Sequence, residues 1–199
     1  APSVSPTTGA PSASPTVDWG LPATPETWAM MNEWGGYSPS TSWKRCYRKS
    51  TDGLGDAFHT QCGGRYPLFL VLEQYDPRYG SEKKIIGAYT TVPFKWAYGL
   101  SLSGSQQGTY CSQCFLFSLT NSFKHGTTAY ARNRHVINPY PKQLQWYDFT
   151  VDLDAVYGNQ QGYGLTTYLG TSFECRVGGA GNAECTADFA GRRGSYHGE

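Results

Sequence analysis

Six cysteines, Cys46, Cys62, Cys111, Cys114, Cys175 and Cys185, are the residues of this 199-residue chain whose type and spacing could do chemistry. An even set in a chain rich in glycine and tyrosine persists as disulfides in an oxidising compartment, whereas cytosolic thiols stay reduced. Local spacing favours Cys175 with Cys185, which closes a Gly-Gly-Ala-Gly loop, and Cys46 with Cys62, which ties a helix to a strand before it. Cys111 and Cys114 then pair with each other or exchange partners. Each bridge is worth roughly 2–4 kcal/mol. Cys111-Ser-Gln-Cys114 also has the spacing of a redox dithiol, but such a motif needs a helix N-terminus to stabilise one thiolate. Here it runs into Phe115-Leu-Phe-Ser-Leu119, a strand, so a structural bridge is the expectation.

The other polar residues assemble no reaction. His59, His125, His135 and His197 show neither zinc-ligand spacing nor the spacing of a nucleophile's partner. Asp148 and Asp152 could share a strand face, but at about 13 Å they are too far apart for paired carboxylates. With Asp154, and like Asp18, Asp52, Asp56 and Asp76, they are expected as solvated carboxylates rather than calcium ligands. Nucleophile elbow, Walker loop and dinucleotide fingerprint are absent from the sequence. The chain therefore reads as a non-enzyme without catalytic residues, metal or cofactor.

The elements that would position these residues are short. Thr24 is a helix N-cap, Pro25 and Glu26 suit the first turn, Trp28, Met31 and Trp34 fall at helical spacing, and Gly35-Gly36 is a stop. A second helix fits Leu54 to Gln61. The continuous apolar run Leu68 to Leu72 predicts a central strand covered on both faces. Trp146 to Leu153 alternates and predicts one strand with a wet face, while Gly99 to Gly108 reads as a surface loop. Only 16% of residues are charged, with 24 glycines and 15 tyrosines, a mix that suits strands and turns. The formal charge of +1 and the lack of a basic run argue against nucleic acid as a partner. No stretch has the 18 or so apolar residues of a membrane span.

Residues 1–17 differ from everything after them. Ala1 to Thr16 contains only Pro, Ser, Thr, Ala, Gly and one Val. Pro2, Pro6, Pro11 and Pro15 fix φ and remove amide donors, so an extended, semi-rigid arm is expected. Ser3, Ser5, Thr7, Thr8, Ser12, Ser14 and Thr16 beside these prolines are candidate O-glycosylation sites, and the chain has no Asn-x-Ser/Thr acceptor. The opening Ala1-Pro2 is what a secreted product presents once its leader is removed. A plain flexible linker is the competing expectation for this segment.

Five blocks occur in an order that resembles a TLDc domain. They are Trp43-Lys-Arg-Cys-Tyr-Arg-Lys-Ser-Thr-Asp-Gly53, Ala57-Phe-His-Thr-Gln-Cys62, Tyr66-Pro-Leu-Phe-Leu-Val-Leu72, Ile86-Gly-Ala-Tyr89 and Cys114-Phe-Leu-Phe-Ser-Leu119. In that order they read as a helix, a strand, a Gly-Ala-Tyr turn into a second strand and a third strand. The resemblance spans residues 42–170, thinning after Phe123 to Tyr147–Leu153 and Gly162–Leu169. It implies a mostly β fold with short helices (α+β), a two-sheet antiparallel sandwich, here preceded by the extended arm and by a helix and connection over residues 18–41. The sandwich domain is expected over 42–199. The family's usual closing strand has no clear counterpart; residues Cys185 to Phe189, residues outside this chain and a neighbouring copy are its candidate sources. The family defines no catalytic constellation, so function must be argued from sites rather than from the fold.

Three functions compete at this stage. The first is an extracellular or cell-surface structural module whose O-glycosylated arm docks on other copies, forming a filament or surface layer, or on another surface or matrix protein. The second is a glycan-binding module using aromatics such as Trp43, Trp96, Trp146, Tyr130, Tyr140 and Tyr163. The third takes the resemblance literally, as an intracellular oxidation-resistance or ATPase-binding domain.

Overall fold

A computed structural model of the chain describes residues 24–53, 55–74, 83–93, 111–128, 137–139, 143–146, 149–152, 165–167, 169, 173–176, 185 and 189. The chain divides into two compact units, Ala1–Lys44 and Arg45–Glu199. The fold is mixed α+β, built from short helices and antiparallel sheet.

In the first unit, helix α1 (Pro25–Gly35) starts and stops where the capping residues require. Thr24 is extended and its hydroxyl accepts from the Thr27 amide at 3.3 Å. Hydrogen bonding to Thr24 also holds the exposed Glu26 carboxyl below its ordinary value of 4.5. Gly36 takes the left-handed conformation, φ 78°, which a side chain would resist, and caps the last turn. Met31 is buried as its spacing implies, but Trp28 and Trp34 are only half-buried. Among the described residues of this unit the fully buried polar one is Asn32, whose Nδ2 donates to the carbonyls of Pro39 (3.1 Å) and Thr41 (2.9 Å). Its Oδ1 accepts from Trp43 Nε1 at 2.6 Å. One amide side chain thereby folds residues 37–43 back onto the helix.

In the second unit, α2 (Lys49–Asp52) is a single turn in which Asp52 Oδ2 accepts from the Arg48 amide at 2.6 Å. It is followed by α3 (Gly55–Cys62). The first sheet comprises β1 (Leu68–Gln74), β2 (Lys84–Thr90), β3 (Phe115–Ser118) and β4 (Phe123–Gly126), antiparallel throughout and in sequence order. A second four-stranded antiparallel sheet follows the same rule with β5 (Ile137–Pro139), β6 (Gln143–Trp146), β7 (Phe149–Asp152) and β8 (Leu165–Thr167).

Register divides the first sheet into two rows of side chains. Leu68, Leu70 and Leu72 lie opposite Thr90, Ala88 and Ile86, and the row continues through Leu116 to His125. This row packs with Phe58 and Cys62 of α3, and with Leu169, Phe173, Cys185 and Phe189, to form the core. The other row is aromatic. Tyr89 and Phe115 stack with centroids 4.7 Å apart, Phe69 lies 4.6 Å from Tyr89, and the Lys124 ammonium sits 4.9 Å from the Phe115 centroid. Gly87 lies within this row, and a Cβ there would collide with the Leu70 carbonyl oxygen and the Phe117 ring.

The elements differ from the sequence reading in several places. Among the described residues, Leu68–Leu72 is not a central strand: β1 is the first strand of its sheet, and residues 68–73 are half-buried while Ile86–Thr90 of β2 and all of β3 are buried. An apolar run reports hydrophobicity, not the number of strands beside it, and among the described residues β1 pairs with β2 alone. Ile86–Tyr89 is not a turn into a strand but the interior of β2, where glycine is needed for close approach rather than for turning. Trp146 to Leu153 is not one strand. Trp146 ends β6 and Phe149 begins β7, and the two are paired residues of neighbouring strands; Asp152 ends β7, and Asp148 lies outside the described residues. Cys46 lies in an irregular segment before α2 rather than on a strand. Cys185 and Phe189 are helical and buried in the core, so they supply no closing strand.

Because the Leu70 carbonyl is backbone and cannot swing aside, we expect Gly87→Ala to destabilise the domain by about 1–3 kcal/mol. A melting temperature unchanged from the parent protein would show that the close approach is not structurally demanding.

Candidate functional site

All six cysteines are closed into bridges, and none is free. Cys46–Cys62 and Cys175–Cys185 are the pairs favoured by spacing, and Cys111–Cys114 pair with each other. Cys46–Cys62 ties α3 to the irregular segment before α2. Cys175–Cys185 joins the chain after Phe173 to a residue of the core. Cys111 and Cys114 are 3% and 2% exposed and their disulfide lies at the mouth of β3, with Ser112 and Gln113 outside. Sulfurs that buried cannot meet a partner thiol without opening the sheet, so this bridge acts as a staple.

The described histidines belong to packing. His59 is on α3, its ring edge-on to Phe58 at 5.5 Å. His125 on β4 is buried between Phe123 and Phe189, with Nδ1 donating to the Glu174 carbonyl at 2.8 Å. The Glu174 amide donates in turn to the Gly126 carbonyl at 2.8 Å, and Thr127 bridges Phe173. The free side of β4 is therefore taken up by the returning chain. Among the described residues no group of three or more His, Cys, Asp or Glu could hold a metal ion. Asp52 caps α2 and Asp56 is exposed in the first turn of α3.

Of the aromatics proposed for sugar stacking, Trp43 is engaged with Asn32 and sits edge-on to Tyr37 at 5.1 Å. The aromatic row of the first sheet is also closed, with Tyr89, Phe115 and Phe117 at most 3% exposed. Trp96, Tyr130, Tyr140 and Tyr163 lie outside the described residues, as do His135, His197, Asp18, Asp76, Asp148 and Asp154, the arm prolines and the seven candidate O-glycosylation residues. Among the described residues, no helix is long and apolar enough to cross a membrane.

What stands out is the outer side of β1. Leu70 directs its carbonyl at β2, because that oxygen is what a Cβ on Gly87 would strike. Ile85 directs its groups at β3, where its carbonyl accepts from Leu119 at 2.8 Å and its amide donates to Thr120 Oγ1 at 2.8 Å. Alternation then turns the backbone N–H and C=O of Phe69, Val71 and Glu73 away from β2. Among the described residues, none bonds the outward groups of Val71 or Glu73. The Glu73 carboxylate pairs with Lys83 at 2.7 Å, placing charge at one end of an otherwise apolar edge. That edge went unseen in the sequence because an edge strand and a central strand read alike when both are apolar.

No family model, curated protein or solved structure matches the chain. The site must therefore be argued from its own chemistry, a row of backbone donors and acceptors beside apolar side chains.

Loop-closure entropy orders the three bridges by the chain they span, 16, 10 and 3 residues. Replacing both members of Cys46–Cys62 by alanine should cost about 3 kcal/mol in urea unfolding, and the Cys111–Cys114 pair nearer 2 kcal/mol. Equal losses would show that strain or packing, rather than chain entropy, governs them.

Proposed function

We propose that this protein is a non-enzymatic extracellular structural or interaction module that assembles with other copies through its N-terminal arm, as a filament or surface layer. The observation that supports this most directly is the pairing of all six cysteines in a chain that opens on a Pro/Ser/Thr arm. A complete set of disulfides suits an oxidising compartment, and a Ser/Thr/Pro arm suits O-linked sugars outside the cell. On this reading the domain is a TLDc-like sandwich in which the two sheets stack. Sixteen residues extended at about 3.1 Å each span roughly 50 Å, enough to leave one domain and lie along another. Arm-to-domain contacts repeated head to tail propagate into fibres unless the rotation closes a ring.

Negative-stain electron microscopy of the natively produced protein should show regular fibres, sheets or rings, and deletion of residues 1–17 should leave dispersed particles. Polymers unchanged by that deletion, or dispersed particles from the intact chain, would overturn the assembly reading.

A further inference from the structure

The longest run built only of serine, threonine and proline does not lie in the arm. It is Ser38-Pro-Ser-Thr-Ser42, five residues between Tyr37 and Trp43, against four in the arm's longest, Ser5-Pro-Thr-Thr8. The composition that marks the arm for O-linked sugars thus recurs where the chain has a described structure.

That structure displays the run as a turn. The Thr41 amide donates to the Ser38 carbonyl at 2.9 Å, with Pro39 at the second position, which a fixed φ suits. Ser38, Pro39, Ser40 and Ser42 are exposed, while Thr41 is half-buried. Asn32 Nδ2 holds the carbonyls of Pro39 and Thr41. A buried amide therefore commits its donors to a segment whose side chains add nothing to the buried core. What these bonds fix is the position of the hydroxyls.

The exposed hydroxyls are of two kinds. That of Ser42 bonds no described residue. Ser38 and Ser40 face each other, Oγ to Oγ at 3.0 Å, and Ser38 Oγ also accepts from the Ser40 amide at 3.4 Å. One hydroxyl of this pair donates and the other accepts.

We infer that Ser42 and one member of the Ser38/Ser40 pair are O-glycosylated. This rests on the extracellular reading above and carries the sugars from the arm into the first compact unit. The donor is an activated sugar phosphate. The serine oxygen bonds to the anomeric carbon, and the bond from that carbon to the donor's phosphate oxygen breaks, its electron pair leaving with the phosphate. The hydroxyl proton passes to a base of the transferring enzyme. A glycosylated serine oxygen still accepts a hydrogen bond but no longer donates one. With Ser38 modified, Ser40 donates to it, and with Ser40 modified, Ser38 donates. Two modified serines would bring two acceptors together with no proton between them, so the turn admits one sugar there. Ser42 is under no such limit. Thr41, half-buried, stays bare.

Site-localising mass spectrometry of the natively produced protein, cleaved after Tyr37 and Trp43, makes the test. Residues 38–43 should carry hexose or N-acetylhexosamine on Ser42 and on either Ser38 or Ser40, never on both in one molecule. Ser42→Ala should lose one glycan and leave the occupancy of the pair unchanged. A bare peptide, phosphate in place of sugar, sugars on Ser38 and Ser40 together, or an undiminished glycan count in Ser42→Ala would each overturn the inference. The arm peptide from the same digest separates this inference from the reading beneath it. Sugars on residues 1–16 beside a bare turn overturn the inference and leave the extracellular reading standing. A bare turn and a bare arm remove O-linked sugars from both.

Discussion

The first sheet depends on the close approach at Gly87. There the β1 carbonyl of Leu70 and the Phe117 ring of β3 converge on a point that any larger residue would occupy. The missing side chain lets the aromatic row close, with Phe69, Tyr89, Phe115 and Phe117 in mutual contact across three strands. Ile86–Thr90 of β2 and all of β3 are buried on both faces as a result, one by this row and the other by the core. Glycine within a strand ordinarily weakens it, and here packed aromatic rings offset the lost side chain.

The disulfides act where the sheet alone has least hold. α3 has eight residues, too few to be stable as an isolated helix, and Cys46–Cys62 anchors its last residue while Phe58 packs into the core. The chain beyond β8 touches the core at Leu169, Phe173, Cys185 and Phe189, and Cys175–Cys185 shortens the loop between those contacts. His125 and Glu174 add two hydrogen bonds that draw this returning chain along β4. A domain with short elements and few charges gains from such covalent limits on its unfolded state.

One consequence is an asymmetry between the edges of the first sheet. β4 is bordered by residues 173 and 174, while β1 turns the backbone of Val71 and Glu73 outward. Proteins commonly blunt such an edge with charge, proline or a covering segment. The Glu73–Lys83 pair places such charge at one end of β1.

Local chemistry settled a good part of this protein from sequence. Thr24, Pro25 and Gly36 delimit α1 because capping is decided within four residues, and Phe115–Ser118 is a strand wherever it packs. Two disulfide pairs followed from short spacing, since nearby cysteines meet most often. Tertiary structure decided what depends on neighbours far along the chain. It put β1 at the end of the described sheet, split Trp146–Asp152 between two strands, placed Asn32 at the centre of a hydrogen-bonded turn and put Gly87 beneath an aromatic ring. An apolar run does not say how many strands lie beside it, and a glycine does not say what approaches it. Both facts belong to the contacts made across the sheet.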